Sequence, residues 1–192
     1  TKDKIYINGA LVAEKDVVGT LNNTTKPLGI GFNPIDGGNW FDGELDNIEI
    51  YNYALTLSEI NSNYTVQSTF PGTPSDLVAS YSLNGEGTDA TQFHNHADLN
   101  VNASAVSNRH GWASNALGGY ATADNSIALQ SDFMTISFWA KPNSLPGSGE
   151  VYLLSNGGWQ ERWKISMPSH GKPVFTTHSG GACCSDLDSG TP

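Results

Sequence analysis

Short runs of alternating apolar and polar residues, separated by clusters of Gly, Pro, Asn, Asp and Ser, fill the chain from end to end. Such runs are half-buried strands, because successive side chains of a strand point to opposite faces. The first is Lys4-Ile5-Tyr6-Ile7, followed by Asn8-Gly9 and Ala10-Leu11-Val12. Asn-Gly between two such runs predicts a hairpin, since both residues tolerate the positive φ of a type I′ turn. Further strands are expected at Pro27 to Phe32, Phe41 to Tyr51, Leu77 to Leu83, Ala116 to Ala121, Met134 to Lys141, Val151 to Ser155, Trp163 to Met167 and Val174 to His178. One segment has a helical start: Thr56-Leu57-Ser58-Glu59 offers a hydroxyl cap, with Leu57, Ile60 and Tyr64 on one face, so a short helix is expected near 56–63. Residues 65–76, with two prolines, a glycine and few apolar positions, read as a linker between blocks 1–64 and 77–192. The first block alone has open strand edges and too little apolar content for a core, so it needs strands from elsewhere.

Composition sharpens this all-β, antiparallel sandwich. Charged residues are 15% of the 192 and Gly alone fills 21 positions, which disfavours long charged helices. Nineteen acidic against nine basic residues give a net charge of −10. Such a surface repels phosphate backbones and anionic headgroups, so nucleic acid and membranes are excluded as partners. No apolar run approaches the ~18 residues of a membrane-spanning helix. The chain starts without Met and carries no signal-peptide pattern, as expected for a portion of something longer.

Two sets of motifs carry a resemblance. Lys4 to Val12, Phe41-Asp42-Gly43-Glu44-Leu45-Asp46-Asn47-Ile48-Glu49-Ile50-Tyr51-Asn52-Tyr53-Ala54-Leu55 and the helix with Leu57-Ser58-Glu59-Ile60 resemble the closing half of a laminin G-like (LamG) domain of the concanavalin A-like jelly-roll superfamily. Leu77-Val78-Ala79-Ser80-Tyr81-Ser82-Leu83-Asn84-Gly85, Asp89, Asn95-His96 and Thr135-Ile136-Ser137-Phe138-Trp139-Ala140-Lys141-Pro142 are similar to its opening half. The halves stand in inverted order, and a strand bearing Trp, His and Asp-Gly that the family places between them is found neither after Pro192 nor before Thr1. A cut through a tandem array and a circular permutation both fit. Closure within one chain, exchange of strands between subunits and neighbouring LamG repeats stay open as partners.

Several residues could carry chemistry. Glu44, Asp46 and Glu49 spell Glu-x-Asp-x-x-Glu, similar to the signature of family 16 glycoside hydrolases, where two carboxylates about 5–5.5 Å apart act as nucleophile and acid/base. Period two puts Glu44 and Asp46 on one face and Glu49 on the other unless a bulge intervenes. The LamG resemblance implies instead a structural Ca²⁺ held by Asn84, Glu86 and Asp89 of the opening loop with Asp46 of the closing strand, backbone carbonyls completing the shell. An ordinary acidic turn is the alternative. Cys183 and Cys184 are adjacent, with Cα atoms about 3.8 Å apart, below the usual disulfide range, so a bond between them closes a strained ring. Two free thiols and pairing between chains are the other choices. Trp159, Tyr152, Arg162 and His178 lie near that pair in sequence and, with it, form a candidate ligand-binding set, because aromatic faces stack on sugar rings while polar neighbours read hydroxyls. Trp163 and Trp139 are expected in the core, and Trp40 fits core or surface. His94 and His96 could chelate. Asn23, Asn63 and Asn102 satisfy the glycosylation sequon.

These readings converge on a non-catalytic binding or adhesion module of a larger, repetitive, bacterial secreted or surface protein, binding glycans or another extracellular macromolecule. The alternatives are a β-glucan hydrolase using Glu44 and Glu49, and a structural spacer in a fibre or tandem array.

Overall fold

The computed structural model describes residues 1–65, 76–108, 110–158, 160–180 and 182–190, and for 182 and 183 the backbone path alone. Of the linker expected over 65–76, residues 66–75 lie outside them, as does Trp159. The chain opens with a hairpin of β1 (Lys2–Ile7) and β2 (Ala10–Asp16), turned through Asn8 and Gly9 at φ 52° and 77°, as the Asn-Gly pair predicts. Next come β3 (Leu28–Ile30), β4 (Gly43–Tyr51) and helix α1 (Leu57–Thr65). The helix begins in a capping box: the Glu59 N–H donates to Thr56 Oγ1 at 3.3 Å and the Thr56 N–H to Glu59 Oε2 at 2.6 Å. None of its residues is fully buried, and Leu57, expected on an inner face, is exposed.

The second block contributes β5 (Leu77–Tyr81), β6 (Ala97–Leu99), β7 (Ser104–Val106), β8 (Ala116–Gly118) and β9 (Ala121–Ala123). A 3₁₀ turn at Ile127–Leu129, capped by Ser126, leads to β10 (Thr135–Pro142), β11 (Glu150–Asn156), β12 (Trp163–Pro168), β13 (Val174–Ser179) and β14 (Ala182–Asp188). The single strand expected over Ala116 to Ala121 is two strands, because Gly119 at φ 106° turns the chain between them. The short β6 and β7 and the Cys-bearing β14 were not legible as alternating runs.

Two antiparallel sheets stack as a β-sandwich: β14-β13-β12-β11-β3-β9-β6, and a five-stranded sheet in which β10 pairs with one side of β4 while β5 and β8 share the other. The hairpin β1-β2 is a sheet of its own. The first block supplies an interior strand to each large sheet: β3 sits between β9 and β11, and β4 between β10 and β5/β8. The two halves therefore pair with one another within this chain. Leu28, Ile30, Leu45, Ile48 and Ile50 from the first block meet Val78, Tyr81, Leu117, Leu153, Leu154 and Trp163 from the second in one core. That shared core explains why the apolar strands of either block have no partner in their own sequence.

Candidate functional site

An exposed aromatic surface is built on the segment between β3 and β4. Asn33 is buried and folds this loop: its Oδ1 accepts the Ile35 N–H at 3.0 Å, its Nδ2 donates to Asp36 Oδ2 at 2.9 Å, and its backbone N–H and C=O bond Gly38 and Gly37. Farther along, the Phe41 N–H bonds the Gly31 carbonyl, and the Tyr152 N–H bonds the Asn39 carbonyl at 2.8 Å while Asn39 Nδ2 donates to the Glu150 carbonyl. The loop is pinned along its length, yet Trp40 at its end is 58% exposed. Its ring lies nearly parallel to that of Tyr120, 14° between planes and 6.2 Å between centroids, and Tyr120 packs on Phe32 at 4.6 Å. Tyr120 follows the Gly119 turn, so β8 and β9 hold it against the loop. Sequence reasoning left Trp40 undecided and missed Tyr120, whose signal was an aromatic immediately after Gly118-Gly119.

The expected ligand-binding set does not gather on this surface. Tyr152 is 2% exposed, with the Lys164 ammonium 4.8 Å from its ring centroid and that ammonium ion-paired to Glu150. Arg162 is fully buried, donating from Nη1 to the Asn22 carbonyl and from Nη2 to that of Ser131. Burial pulls its guanidinium below its ordinary value, opposed by Asp132. Both side chains thus serve the interior, correcting their placement on a ligand face: Arg162 satisfies backbone carbonyls of two loops that no strand pairs. His178 is half-buried, its Nδ1 against the Gln160 carbonyl. Cys184, at φ 44°, lines a cavity of about 230 Å³ with Asp16, Val17, Val18, Ser179 and Ser185. No cysteine is free among the described residues. Cys183, whose side chain is not described, and Trp159 fall outside what can be placed.

The carboxylates of β4 do share a face. Ser137 pairs with Glu49 and Trp139 with Asp46, so Asn47 and Ile48 together oppose Phe138, with Asn47 at φ 49°. This bulge resets the alternation: Leu45, Ile48 and Ile50 point to the core, and Glu44, Asp46 and Glu49 point away from it. It also turns Phe138 toward the core and Trp139 outward, where its ring stacks on Tyr64 of α1 at 5.8 Å, correcting the expectation of a core Trp139. Glu44 is ion-paired to Lys141 at 3.0 Å. Glu49 Oε2 accepts from the Tyr51 hydroxyl at 2.7 Å and from Asn63 Nδ2 of α1 at 3.1 Å. Burial first, and the Glu49 carboxylate second, hold the Tyr51 phenol protonated by pushing its pKa up.

The expected calcium ligands differ in their surroundings. Asp89 is 2% exposed and its carboxylate takes four donors: the Ser80 and Thr91 N–H groups on Oδ1, and the Asn95 N–H and Thr91 hydroxyl on Oδ2. Its own N–H donates to His96 Nδ1 at 3.0 Å, while Asn95 Nδ2 and the Tyr81 hydroxyl tie this loop to β5. Asn84 and Glu86 are exposed and Asp46 is buried. Among the described residues no group of three or more His, Cys, Asp or Glu is placed to hold a metal ion. The rings of His94 and His96 are 5.6 Å apart, and His96 Nδ1 is already occupied by the Asp89 N–H.

Taken with the strand order, these features define a concanavalin A-like β-sandwich. Residues 1–61 match the Laminin_G_3 family model, described as the concanavalin A-like lectin/glucanases superfamily. No curated protein and no solved structure matches the chain. Laminin G-like domains are generally binding modules, and over its first third the chain carries their pattern.

Proposed function

We propose that the chain is a non-catalytic binding module that presents the Trp40–Tyr120 surface to neutral glycans. The observation that carries this reading is a largely exposed Trp on a loop that hydrogen bonds hold from Asn33 to Phe41. Solvent exposure of an indole on an already ordered loop is the arrangement that stacks on the C–H face of a pyranose with little further loss of entropy. The net charge of −10 selects neutral over sulfated or carboxylated sugars. An extracellular setting and a Cys183–Cys184 bond belong to the same proposal, supported by the lack of a free thiol among the described residues and by the chain having just two cysteines. The test is a glycan array followed by titration calorimetry with the best neutral oligosaccharide. Trp40→Ala is expected to weaken binding at least tenfold with an unchanged melting temperature, and equal affinity of the variant removes this surface from the site.

The one-face placement of Glu44, Asp46 and Glu49 favours a second reading, hydrolysis of β-glucans. Against it, Lys141 neutralises Glu44, and Tyr51 and Asn63 hold Glu49 beside α1. Reducing ends released from β-glucan by the wild-type chain and abolished in Glu49→Gln would make the protein an enzyme.

A further inference from the structure

The Trp40 indole has polar neighbours on its own face of the seven-stranded sheet. Phe41 and Ala121 are core residues, so the alternation of extended backbone sends Trp40 and Tyr120 to the opposite, outer face. On β11 and β12 the core takes Val151, Leu153, Trp163, Ile165 and Met167, which leaves Glu150, Tyr152, Lys164 and Ser166 on that same outer face. Pairing sets them side by side: Trp40 bridges in parallel to Tyr152, and Tyr152 pairs with Ser166. The loop between β3 and β4 folds over this face too. A Cβ on Gly29, which stands between the core residues Leu28 and Ile30, would lie 2.6 Å from the Pro34 ring.

Two carboxylates stand here at fixed positions. Glu150 lies two residues from Tyr152 on β11, so its Cα is about 8 Å from that of Trp40, given ~4.8 Å between strands and ~3.3 Å per residue along one. Its Oε1 is ion-paired to the Lys164 ammonium, which sits over the Tyr152 ring, and its backbone carbonyl accepts from Asn39 Nδ2, next to Trp40. Its side chain is 30% exposed. Asp36 is exposed, and its Oδ2 accepts from the buried Asn33 amide at 2.9 Å. Both carboxylates reach the Tyr152 phenol: burial first, then Glu150 and Asp36, hold it protonated by pushing its pKa up. Each acid thus commits one oxygen to the protein and has a second to offer. Beneath them the Ser166 hydroxyl is buried without a hydrogen-bond partner among the described residues, so the floor of this face holds a polar group still to be satisfied.

We propose that Glu150 and Asp36 determine the specificity of the Trp40 surface by accepting hydroxyls of the sugar stacked on the indole, so that the ligand is a neutral glycan with unsubstituted vicinal hydroxyls. The inference rests on the Trp40–Tyr120 reading and adds which groups of the sugar are read. Equatorial hydroxyls project from the edge of a pyranose while its C–H face lies on the indole, so stacking and hydroxyl donation use different parts of one sugar. A hydrogen bond to an ionised acceptor is stronger than one between neutral groups, which makes a carboxylate a sharper reader than an amide. A sugar that lacks the hydroxyl leaves that acceptor desolvated and unpaired, the arrangement that rejects an analogue most strongly. Lys164 and Asn33 hold the two acids in place before the sugar arrives, so little side-chain freedom is lost on binding.

The test is titration calorimetry of the intact chain with cellohexaose, mannohexaose and xylohexaose, whose internal residues carry adjacent free hydroxyls, each against its O-methylated form. Wild type is expected to bind the best free probe at least tenfold more tightly than the methylated one. Glu150→Gln and Asp36→Asn are each expected to weaken the free probe about tenfold and to leave the methylated probe unchanged, so that the ratio between the two collapses. A merely structural role would weaken both probes alike and keep the ratio. Asp36 bonds one side chain of its own loop, so Asp36→Asn carries the test if Glu150→Gln unfolds by stranding the Lys164 ammonium. A wild-type ratio in the folded variants, with Trp40→Ala still weakening the free probe, overturns the role of the carboxylates and leaves the aromatic platform standing. Unchanged affinity in Trp40→Ala, or no binding of any free probe by wild type, overturns the platform and the carboxylates together.

Discussion

Replacing Asp89 by Asn tests whether that carboxylate organises the loop after β5 or serves a cation. The variant keeps an oxygen for the Ser80 and Thr91 N–H groups but turns an NH₂ toward the Asn95 N–H, which now sits 2.8 Å from Oδ2. The Thr91 hydroxyl can rotate to accept from the new amide, so the irreducible loss is one bond to an ionised acceptor and a buried N–H facing a donor. A bond of that kind contributes ~1.5–3 kcal/mol and an orphaned buried donor costs ~1–3, so the variant should lose about 3 kcal/mol. For a chain of this size that corresponds to a fall of roughly 6–12 °C in melting temperature. Thermal unfolding followed by circular dichroism, with and without a calcium chelator, reads both possibilities. The reasoning is refuted by a loss below about 1 kcal/mol. It is refuted equally if chelation lowers the wild-type melting temperature as far as the substitution does, because the carboxylate would then be a metal ligand.

Other expectations follow from single contacts. Arg162→Met removes the donors that satisfy the Asn22 and Ser131 carbonyls and should destabilise by about 2–4 kcal/mol in a denaturant titration. Asn47→Val forces a β-branched residue into φ 49° and should cost about 1–3 kcal/mol, whereas Asn47→Gly should stay within about 1 of wild type. Burial, the largest influence, raises the Asp3 pKa against the opposing Thr177 bond, so the native state holds that proton more tightly than the unfolded chain. Its contribution is therefore unfavourable at neutral pH and is relieved as pH falls through the raised native value. In Asp3→Asn, stability measured at stepped pH should rise less on acidification than it does in wild type, and an identical pH dependence would remove Asp3 as the cause.

What the sequence reveals here is local, and what it conceals is tertiary. Asn8-Gly9 and Thr56 to Glu59 specify their turn and cap through their own backbone chemistry, and both form as read. The strands with buried alternation, β3, β4, β5 and β11 among them, were visible because one face carries Ile, Leu or Val. β6 and β7 are three residues each, too short for a period to register. Arg162 looks like a surface cation because its partners are carbonyls of residues far away in sequence. Whether Glu49 shares a face with Glu44 and Asp46 hung on a bulge that period two alone does not place: the positive φ of Asn47 shifts the count by one, and Asn alone does not announce it. Tyr120 joins Trp40 only because β9 pairs with β3 across ninety positions of intervening chain that carry no trace of the contact.

The interleaving of the two blocks also sets the order in which the protein can acquire its shape. Ile30 finds Leu154 and Ile50 finds Ile136 only after the later strands have left the ribosome, so β3 and one side of β4 are secured long after they are made. Until then the apolar edges of β3 and β4 stand open, and a nascent chain in that state is a target for chaperones or for mispairing with its neighbours. The same dependence gives the molecule a natural split. Separately expressed fragments 1–65 and 76–190 each lack interior strands that the other supplies, and their recovery of structure on mixing would depend on concentration rather than on time alone.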